Sequence, residues 1–367
     1  MSKPRVISLY LPQFHPFPEN DEWWGKGYTE WRSVVRAKSL FKGHNQPNVP
    51  ADLGFYDLRL PVIREQQADM AREAGIEGFC YWHYWFGNGK QLMADIFDDV
   101  LKSGKPDFPF CLGWANHSWY AKNWNTNDTT GQDRLLIEQT YPGQEDIRMH
   151  YEYVLKAFKD PRYIKVDNKP FFMIFIADDI PDDFIGLWNE WAKKDGFDGI
   201  FFVGNAGAYT DASAYTAKGF SAVIKDRMRE QLADRYSGFT FGRLFRKIKG
   251  MFVENTPNLF DYKDCVKRFI QEQDDSREDV IPSLIPNFDH SPRSGRYGYI
   301  IRNSTPQLFG EYAQKEFRIV SQKKNNIVLL RSWNEWGEGN YMEPDLKWGH
   351  GYLDALKDAL LNYQKEA

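Results

Sequence analysis

The run Trp333-Asn334-Glu335-Trp336-Gly337-Glu338-Gly339 holds the residue types and spacing best suited to chemistry in this chain. Its two glutamates are three residues apart, so a helical turn would set them on one face. Carboxylates held close repel each other, and neighbouring indole rings exclude water. Both effects raise one pKa and leave one acid beside one base. Cleavage of a glycosidic bond requires such a pair, and a tryptophan ring is a platform on which a sugar can stack. Gly337 and Gly339 let the backbone turn sharply. The plainer reading is a solvated surface turn, the ordinary fate of a lone Glu-x-x-Glu. A solvated turn has no need of two Trp, two Gly and an Asn, and this stretch directly follows the apolar run 327–330.

That run is the last of eight short apolar stretches: 6–10, 78–85, 108–114, 171–176, 200–204, 221–224, 283–286 and 327–330. Helical spacing recurs between or after them at 61–74, 92–101, 145–158, 184–194, 306–323 and 351–364. The alternation predicts an α/β fold, a single (β/α)8 TIM barrel over residues 1–367 with elaborated loops. Continuous apolar runs suit parallel strands buried on both faces. No Gly-x-Gly-x-x-Gly follows the first strand and no Walker A sequence occurs, which counts against nucleotide-binding sheets. Polar and aromatic residues repeatedly follow the strand ends, where barrel enzymes carry their sites.

Composition narrows the class. The chain has 367 residues, 42% hydrophobic and 27% charged, and a net charge of −4, so no basic field draws nucleic acid. Aromatics reach 16%, with 13 Trp and 20 Tyr, which fits a carbohydrate pocket as well as a core. Cys80, Cys111 and Cys265 form neither a disulfide framework nor a zinc motif. The expectation is no metal and no cofactor. Pro12, Gln13 and His15 interrupt the first apolar run, so no signal peptide is read, and no window reaches the roughly 18 apolar residues of a membrane span. The expected location is cytoplasmic.

Residues 225–254 break the alternation and read as an insertion, with eight Lys/Arg against four Asp/Glu. Within 239–252, Phe241, Leu244, Phe245, Ile248 and Phe252 share a helical face, with Arg243, Arg246, Lys247 and Lys249 elsewhere. This is either a helix packed on the barrel with a solvated basic face, or a peripheral contact with the inner membrane surface or with an anionic substrate group.

Further candidates cluster at the strand ends. Tyr10, His15, Glu30 and Trp31 end or follow the first strand; His15 either lines the pocket or sits in a proline-rich loop. Tyr81 and His83 share a face of the second strand, reaching the barrel mouth if it points inward and packing under a helix if not. Trp114 and Asn116 suit a stacking ring plus a hydrogen-bonding amide, and Asn205 ends the fifth strand. Asp289 either pairs with Arg293 or binds sugar hydroxyls; Arg331 lies beside an acid or contacts sugar; Asn334 orients Glu335 or caps the turn, and Trp336 supplies desolvation.

Several long strings carry a family resemblance: Tyr10-Leu11-Pro12-Gln13-Phe14-His15, Asn20-Asp21-Glu22-Trp23-Trp24-Gly25-Lys26-Gly27, Thr29-Glu30-Trp31, Ala51-Asp52-Leu53-Gly54-Phe55-Tyr56-Asp57, residues 78–86 and residues 333–339. Across nearly its whole length the chain resembles the WbsX-like family, labelled glycosyltransferase and tied to polysaccharide or O-antigen gene clusters. That family is similar to glycoside hydrolase family 99, the endo-α-mannosidases, in its (β/α)8 barrel and its Asn-Glu-Trp-x-Glu-Gly motif. The resemblance implies a metal-free, retaining hydrolase of α-linked, mannose-like glycans that works through a 1,2-anhydro sugar. It gives Glu335 the role of base on the sugar 2-hydroxyl and Glu338 that of general acid/base. Two departures bear on sugar specificity more than on the reaction. His117-Ser118 follows Asn116 where members carry an acidic residue, and Phe288-Asp289-His290 stands where Trp-Asp-Asn is usual. Three functions stay open: hydrolase, glycosyltransferase, and non-catalytic carbohydrate-binding barrel. A nucleotide-sugar transferase would usually show a nucleotide-binding domain and a metal-binding Asp-x-Asp, and neither stands in a convincing setting here.

Overall fold

A computed structural model describes residues 2–121, 134–206, 210–228 and 258–365. Nine parallel strand segments occupy eight positions around a barrel. They are β1 (Arg5–Tyr10), β2 (Gly78–His83), β3 (Phe110–Trp114), β4 (Lys169–Ile174), β5 (Phe201–Ala206), β6 (Ala222–Lys225), β7 in two halves (Val280–Ile281 and Ser283–Leu284) and β8 (Ile327–Leu330). Each pairs with the next in sequence, and β1 pairs with β8 through Ile7 and Leu329. Closure runs through β7. Its first half pairs with β6 at Val280 and Val223, and its second half with β8 at Ser283 and Leu329. Pro282 between them has no N–H to give, although its carbonyl accepts from Leu329 N at 3.0 Å. The seventh strand thus starts earlier than the expected 283–286, because the proline hid the Val-Ile pair before it.

Helices follow the strands: α1 (Pro61–Glu73), α2 (Ala94–Ser103), α3 (Gln144–Phe158), α4 (Phe184–Lys194), α5 (Ala212–Thr216), α6 (Tyr262–Phe269), α7 (Pro306–Val320) and α8 (Gly351–Asn362). Pro61 and Pro306 stand in the first turn of α1 and α7, where a missing N–H costs nothing. Thr305 caps α7 through Leu308 N at 3.2 Å. The short α5 and α6 were not foreseen; each begins at an aspartate, Asp211 and Asp261, that accepts from the backbone two residues on. All of β3 and β8 is buried, as strands covered on both faces should be.

Of the expected insertion, only its first four residues are described. Lys225 completes β6, and Asp226 and Arg227 are buried in ion pairs with Arg331 and Asp275. The amphipathic stretch 239–252 lies outside the described residues. Among the described residues, no helix is long and apolar enough to cross a membrane.

Two loops at the C-terminal face matter for the site. The β1–α1 loop holds two short helices, Pro18–Trp24 and Trp31–Arg36. The β3–α3 loop holds an antiparallel hairpin, Trp119–Ala121 against Arg134–Ile137. Phe17, Tyr84, Phe86, Leu92, Met93, Ala115 and Ile137 form a small second core beneath them, with Trp23, Trp82 and Trp119 packed on it.

Candidate active site

The chain leaves β8, and Asn334–Glu335 pairs antiparallel with Asn340–Tyr341 around a single 3-10 turn, Trp336–Glu338. Glu335 caps the start of the turn and Glu338 ends it, and both carboxylates reach Arg293. Gly339 sits at φ +53° and closes the turn. Gly337 is needed for space instead: a Cβ there would lie 2.2 Å from Glu30 Oε2 and 2.8 Å from Arg293 Nε.

Arg293 holds the two glutamates together. Its Nη1 donates to Glu338 Oε1 at 2.6 Å and its Nη2 to Glu335 Oε2 at 3.3 Å. Glu30, at the start of the Trp31–Arg36 helix, meets the same guanidinium through Nε at 3.3 Å and Nη2 at 3.2 Å. Three carboxyl groups from two loops thus surround one cation. Burial opposes the guanidinium charge, but Glu30, Glu338 and Glu335 outweigh it and keep Arg293 permanently charged. The helix Ser291–Ser294 carries Arg293, and Asp289 anchors it by accepting from Ser291 N at 2.9 Å and Gln46 Nε2 at 2.6 Å. His44 Nε2 lies 2.7 Å from the same carboxylate.

The surroundings of the two glutamates differ. Burial first, and the charge of Glu338 second, push the Glu335 carboxyl up to about 8. Burial pushes Glu338 up too, but Arg293, His290 and Arg331 outweigh it and hold that carboxyl below the usual glutamate value. The pair therefore carries one proton at neutral pH, resting on Glu335, and one negative charge, resting on Glu338. Their own repulsion is part of the cause.

The turn is fixed from behind. Asn334 accepts from Leu11 N at 2.8 Å and returns a bond to Leu11 O at 3.0 Å, tying the motif to the end of β1. Glu343 accepts from Trp336 Nε1 at 2.5 Å, Gln67 Nε2 at 2.6 Å and Tyr56 Oη at 2.9 Å. Tyr10 Oη donates to Gln67 Oε1 at 2.6 Å and extends the network. Burial pushes Glu343 up to about 7 against the pull of these donors. Sequence reading missed Glu343, an acid eight residues past Glu335 that directly follows Tyr341-Met342.

Of the sequence candidates, Glu30, Arg293, Glu335 and Glu338 meet at one point, and Arg331 is adjacent, paired with Asp226 at 3.5 Å. Asn205 is half-buried at the end of β5. Its neighbour Gly204 faces outward toward Phe220, so Asn205 faces the lumen. Asp289 bonds His44, Gln46 and Ser291. The other candidates hold the scaffold. Tyr10, Asn334 and Trp336 are fully buried in the network behind the turn, and Trp31 packs on Trp336 at 5.6 Å. Tyr81 and His83 take the outward face of β2: Tyr81 meets Phe97 of α2, and His83 Nε2 sits 2.8 Å from His150 Nε2 of α3. Burial drives the His83 imidazole down to about 3, so it stays neutral. Trp114 donates to Trp85 O at 2.9 Å and stacks on Phe184 of α4. Asn116 is spent on Ile176 backbone and Tyr141. His15 is buried against Phe17, both ring nitrogens closed off from the pocket, and burial holds it neutral.

The lumen face of β2 belongs instead to Trp82, half-buried and edge-on to Phe175 at 5.6 Å. Tyr84 follows it. Burial first, then the Glu335 charge, keeps its phenol protonated, which places the hydroxyl in the field of the carboxylate cluster. Trp119 packs on Tyr84 at 5.3 Å and Trp23 on Trp119 at 6.0 Å. Among the described residues, no group of three or more His, Cys, Asp or Glu is arranged to hold a metal ion.

Comparison with known proteins follows the same outline. The chain is similar to the uncharacterized protein WxcX of Xanthomonas campestris pv. campestris, strain B100, at 32% identity over 364 residues, 97% of this chain and 49% of that protein. The WxcX of strain ATCC 33913 matches equally, so the chain spans about half the length of the curated relatives it matches. Among solved structures, the GH99 endo-α-mannosidase of Bacteroides thetaiotaomicron, in complex with Bis-Tris-propane, superposes with a TM-score of 0.58 at 14% identity, covering 98% of both chains. A glycoside hydrolase-like protein superposes at 0.57, with 14% identity, 98% of this chain and 94% of that one. These likenesses show that the chain shares the barrel fold of those two proteins. The sequence profile described as glycosyltransferase WbsX matches residues 6–356, and the chain belongs to that family.

Proposed function

We propose that the chain is a glycoside hydrolase of α-linked, mannose-like glycans that retains configuration through a 1,2-anhydro sugar. The observation that carries this reading is the unequal pair at the barrel mouth, one carboxyl protonated and one ionised around Arg293. The likeness to an endo-α-mannosidase barrel supports the substrate class.

In this reading Glu335 takes the 2-hydroxyl proton and Glu338 protonates the departing oxygen. The resting proton lies on the opposite residue, so it must change hands when sugar binds. Substrate contacts favour that exchange. A 2-hydroxyl donating to Glu335 stabilises its carboxylate, and a glycosidic oxygen accepting from Glu338 stabilises its acid. Entry of the sugar also has to loosen the 2.6 Å contact between Arg293 and Glu338.

Leaving-group dependence tests the assignment. Glu338→Gln should lose on the order of 10²–10⁴ in kcat on substrates with poor leaving groups and little on activated aryl glycosides. Glu335→Gln should lose that much on both. The reverse pattern exchanges the roles. The family description favours a second reading, transfer. Turnover of a nucleotide sugar with none of any aryl α-glycoside would establish transfer and remove hydrolysis.

A further inference from the structure

We infer that Asp226 is a positioning residue for the carboxylate pair: it holds the Arg331 guanidinium in one place at the barrel mouth, while Lys225 and Arg227, on either side of it, brace the end of β6 from outside. The inference rests on the hydrolase reading for what the pair does. It rests on geometry for what holds Arg331.

Strand parity sets the arrangement. Asn205 faces the lumen, and its register partner on β6 is Ile224, so Ile224 faces the lumen too. Asp226, two residues on, keeps that face, and Lys225 and Arg227 take the other. The contacts agree. Asp226 is buried, with its Oδ1 3.5 Å from Arg331 Nη1. Lys225 Nζ meets Asp274 Oδ2 at 2.8 Å. Arg227 grips Asp275 with both arms of the guanidinium, Nη1 to Oδ2 at 2.7 Å and Nη2 to Oδ1 at 2.5 Å. Asp274 and Asp275 end one short helix, Glu272–Asp275. Three consecutive charged residues are thus fastened alternately, two outward to that helix and one inward to the end of β8.

The inner pair also bridges a change of partner in the wall. β6 is laddered to β7 at Val223–Val280 and Ile224–Ile281, and after Pro282 β7 pairs with β8 instead. Arg331 directly follows β8, and its N donates to Leu284 O at 2.8 Å. Asp226 and Arg331 therefore join the ends of β6 and β8 across the strand between them. The outer brace keeps Asp226 in register for this. A bidentate pair of arginine and carboxylate fixes angle as well as distance, and Arg227 and Asp275 are both buried.

The place of Arg331 matters because its charge reaches both glutamates. The charges facing Glu335 are Glu338, Arg293, Glu30 and Arg331, and the two arginines favour its ionised form. Arg331 lowers Glu338 as well. An unanchored arginine samples many rotamers. Released from Asp226, Arg331 would turn toward the carboxylates and draw off the proton they share. A fixed anion on β6 prevents that.

The test reads the protonation of Glu335 directly. Protein isotope-labelled at the glutamate side-chain carboxyl is titrated by NMR, and the Glu335 signal is assigned by its absence in Glu335→Gln. The unsubstituted protein should show a step at about 8. Asp226→Asn should lower that step by about one unit, and Asp226→Glu should restore most of the shift. Arg331→Met should raise the step, and adding Asp226→Asn to Arg331→Met should move it no further. Asp274→Asn, in the half-buried outer brace, should give a smaller fall, and it carries the test if Asp226→Asn does not fold. An unmoved step in both Asp226→Asn and Asp274→Asn overturns the inference. So does an equal fall with and without Arg331, which would make Asp226 act by its own charge. Shifts as expected in a protein that cleaves no α-mannoside keep the positioning role and remove the hydrolase reading.

Discussion

The two sides of the barrel mouth are built on opposite principles. The side formed after β1, β7 and β8 is charged: Glu30, Glu335 and Glu338 around Arg293, with His290 and Arg331 close by. The side formed after β2, β3 and β4 is aromatic: Trp82, Tyr84, Trp119 and Phe175. Electrostatic interactions at the first side depend on protonation and on an exact balance of neighbours. Ring stacking at the second depends on shape and area. The difference separates bond-breaking from holding, and it predicts that pH and charge substitutions act through one side and leave the other untouched.

Removing the central cation should break the charged side most severely. Arg293→Met takes away the leading counterweight to burial at Glu338, so that carboxyl should rise and both glutamates compete for the proton state. The expected loss is on the order of 10²–10³ in kcat/KM. A pH–rate profile checks it, since the limb belonging to Glu338 should move to higher pH. An unmoved profile would mean that Arg293 does not set the balance.

A second effect, of intermediate size, is the pH dependence of stability. Glu335 is raised to about 8 in the folded chain, whereas an unfolded glutamate titrates near about 4.3. Below the lower value both states hold the proton and nothing changes. Between the two values the folded chain keeps a proton that the unfolded chain has released, so stability falls with rising pH and levels off above the upper value. Glu335→Gln has no such proton to lose. Its melting temperature should therefore gain on the unsubstituted protein between about pH 5 and about pH 8, measured by scanning calorimetry at matched ionic strength. A constant difference across that window would remove the raised carboxyl.

The smallest effect belongs to the aromatic side. Trp82→Ala should raise KM about tenfold, as loss of one stacked ring does, with kcat and the pH profile unchanged. A shifted profile would show that the two sides are coupled rather than divided.

Much of this division was legible in the sequence. The apolar runs marked all eight strand positions, and the acids of residues 333–339 stood out because a solvated turn would not surround them with Trp and Gly. Glu30 and Arg293 also fell where the strand ends converge. What pattern could not supply was the inner and outer parity of each strand. Parallel barrel strands are buried on both faces, so the outward Tyr81 and His83 look as apolar and aromatic as the inward Trp82. Choosing the wrong parity at β2 exchanges a lumen-facing ring for a histidine under a helix. Trp114, Asn116 and Tyr10 share that ambiguity: each is polar or aromatic at a strand end, and each is spent on a backbone carbonyl or a neighbouring side chain. Glu343 was hidden for a different reason, because its partners Gln67 and Tyr56 lie far away along the chain.

The interrupted β7 has a kinetic side. Val280–Ile281 is laddered only to β6 and Ser283–Leu284 only to β8, with a proline between them. A strand carrying part of its possible ladder opens at lower free energy than its fully paired neighbours. Amide protons there exchange with solvent sooner, and the wall parts at this seam before it parts elsewhere. The chain runs on from the seam through Asp289 to Arg293, so each opening slackens the segment that carries the cation holding Glu338 ionised.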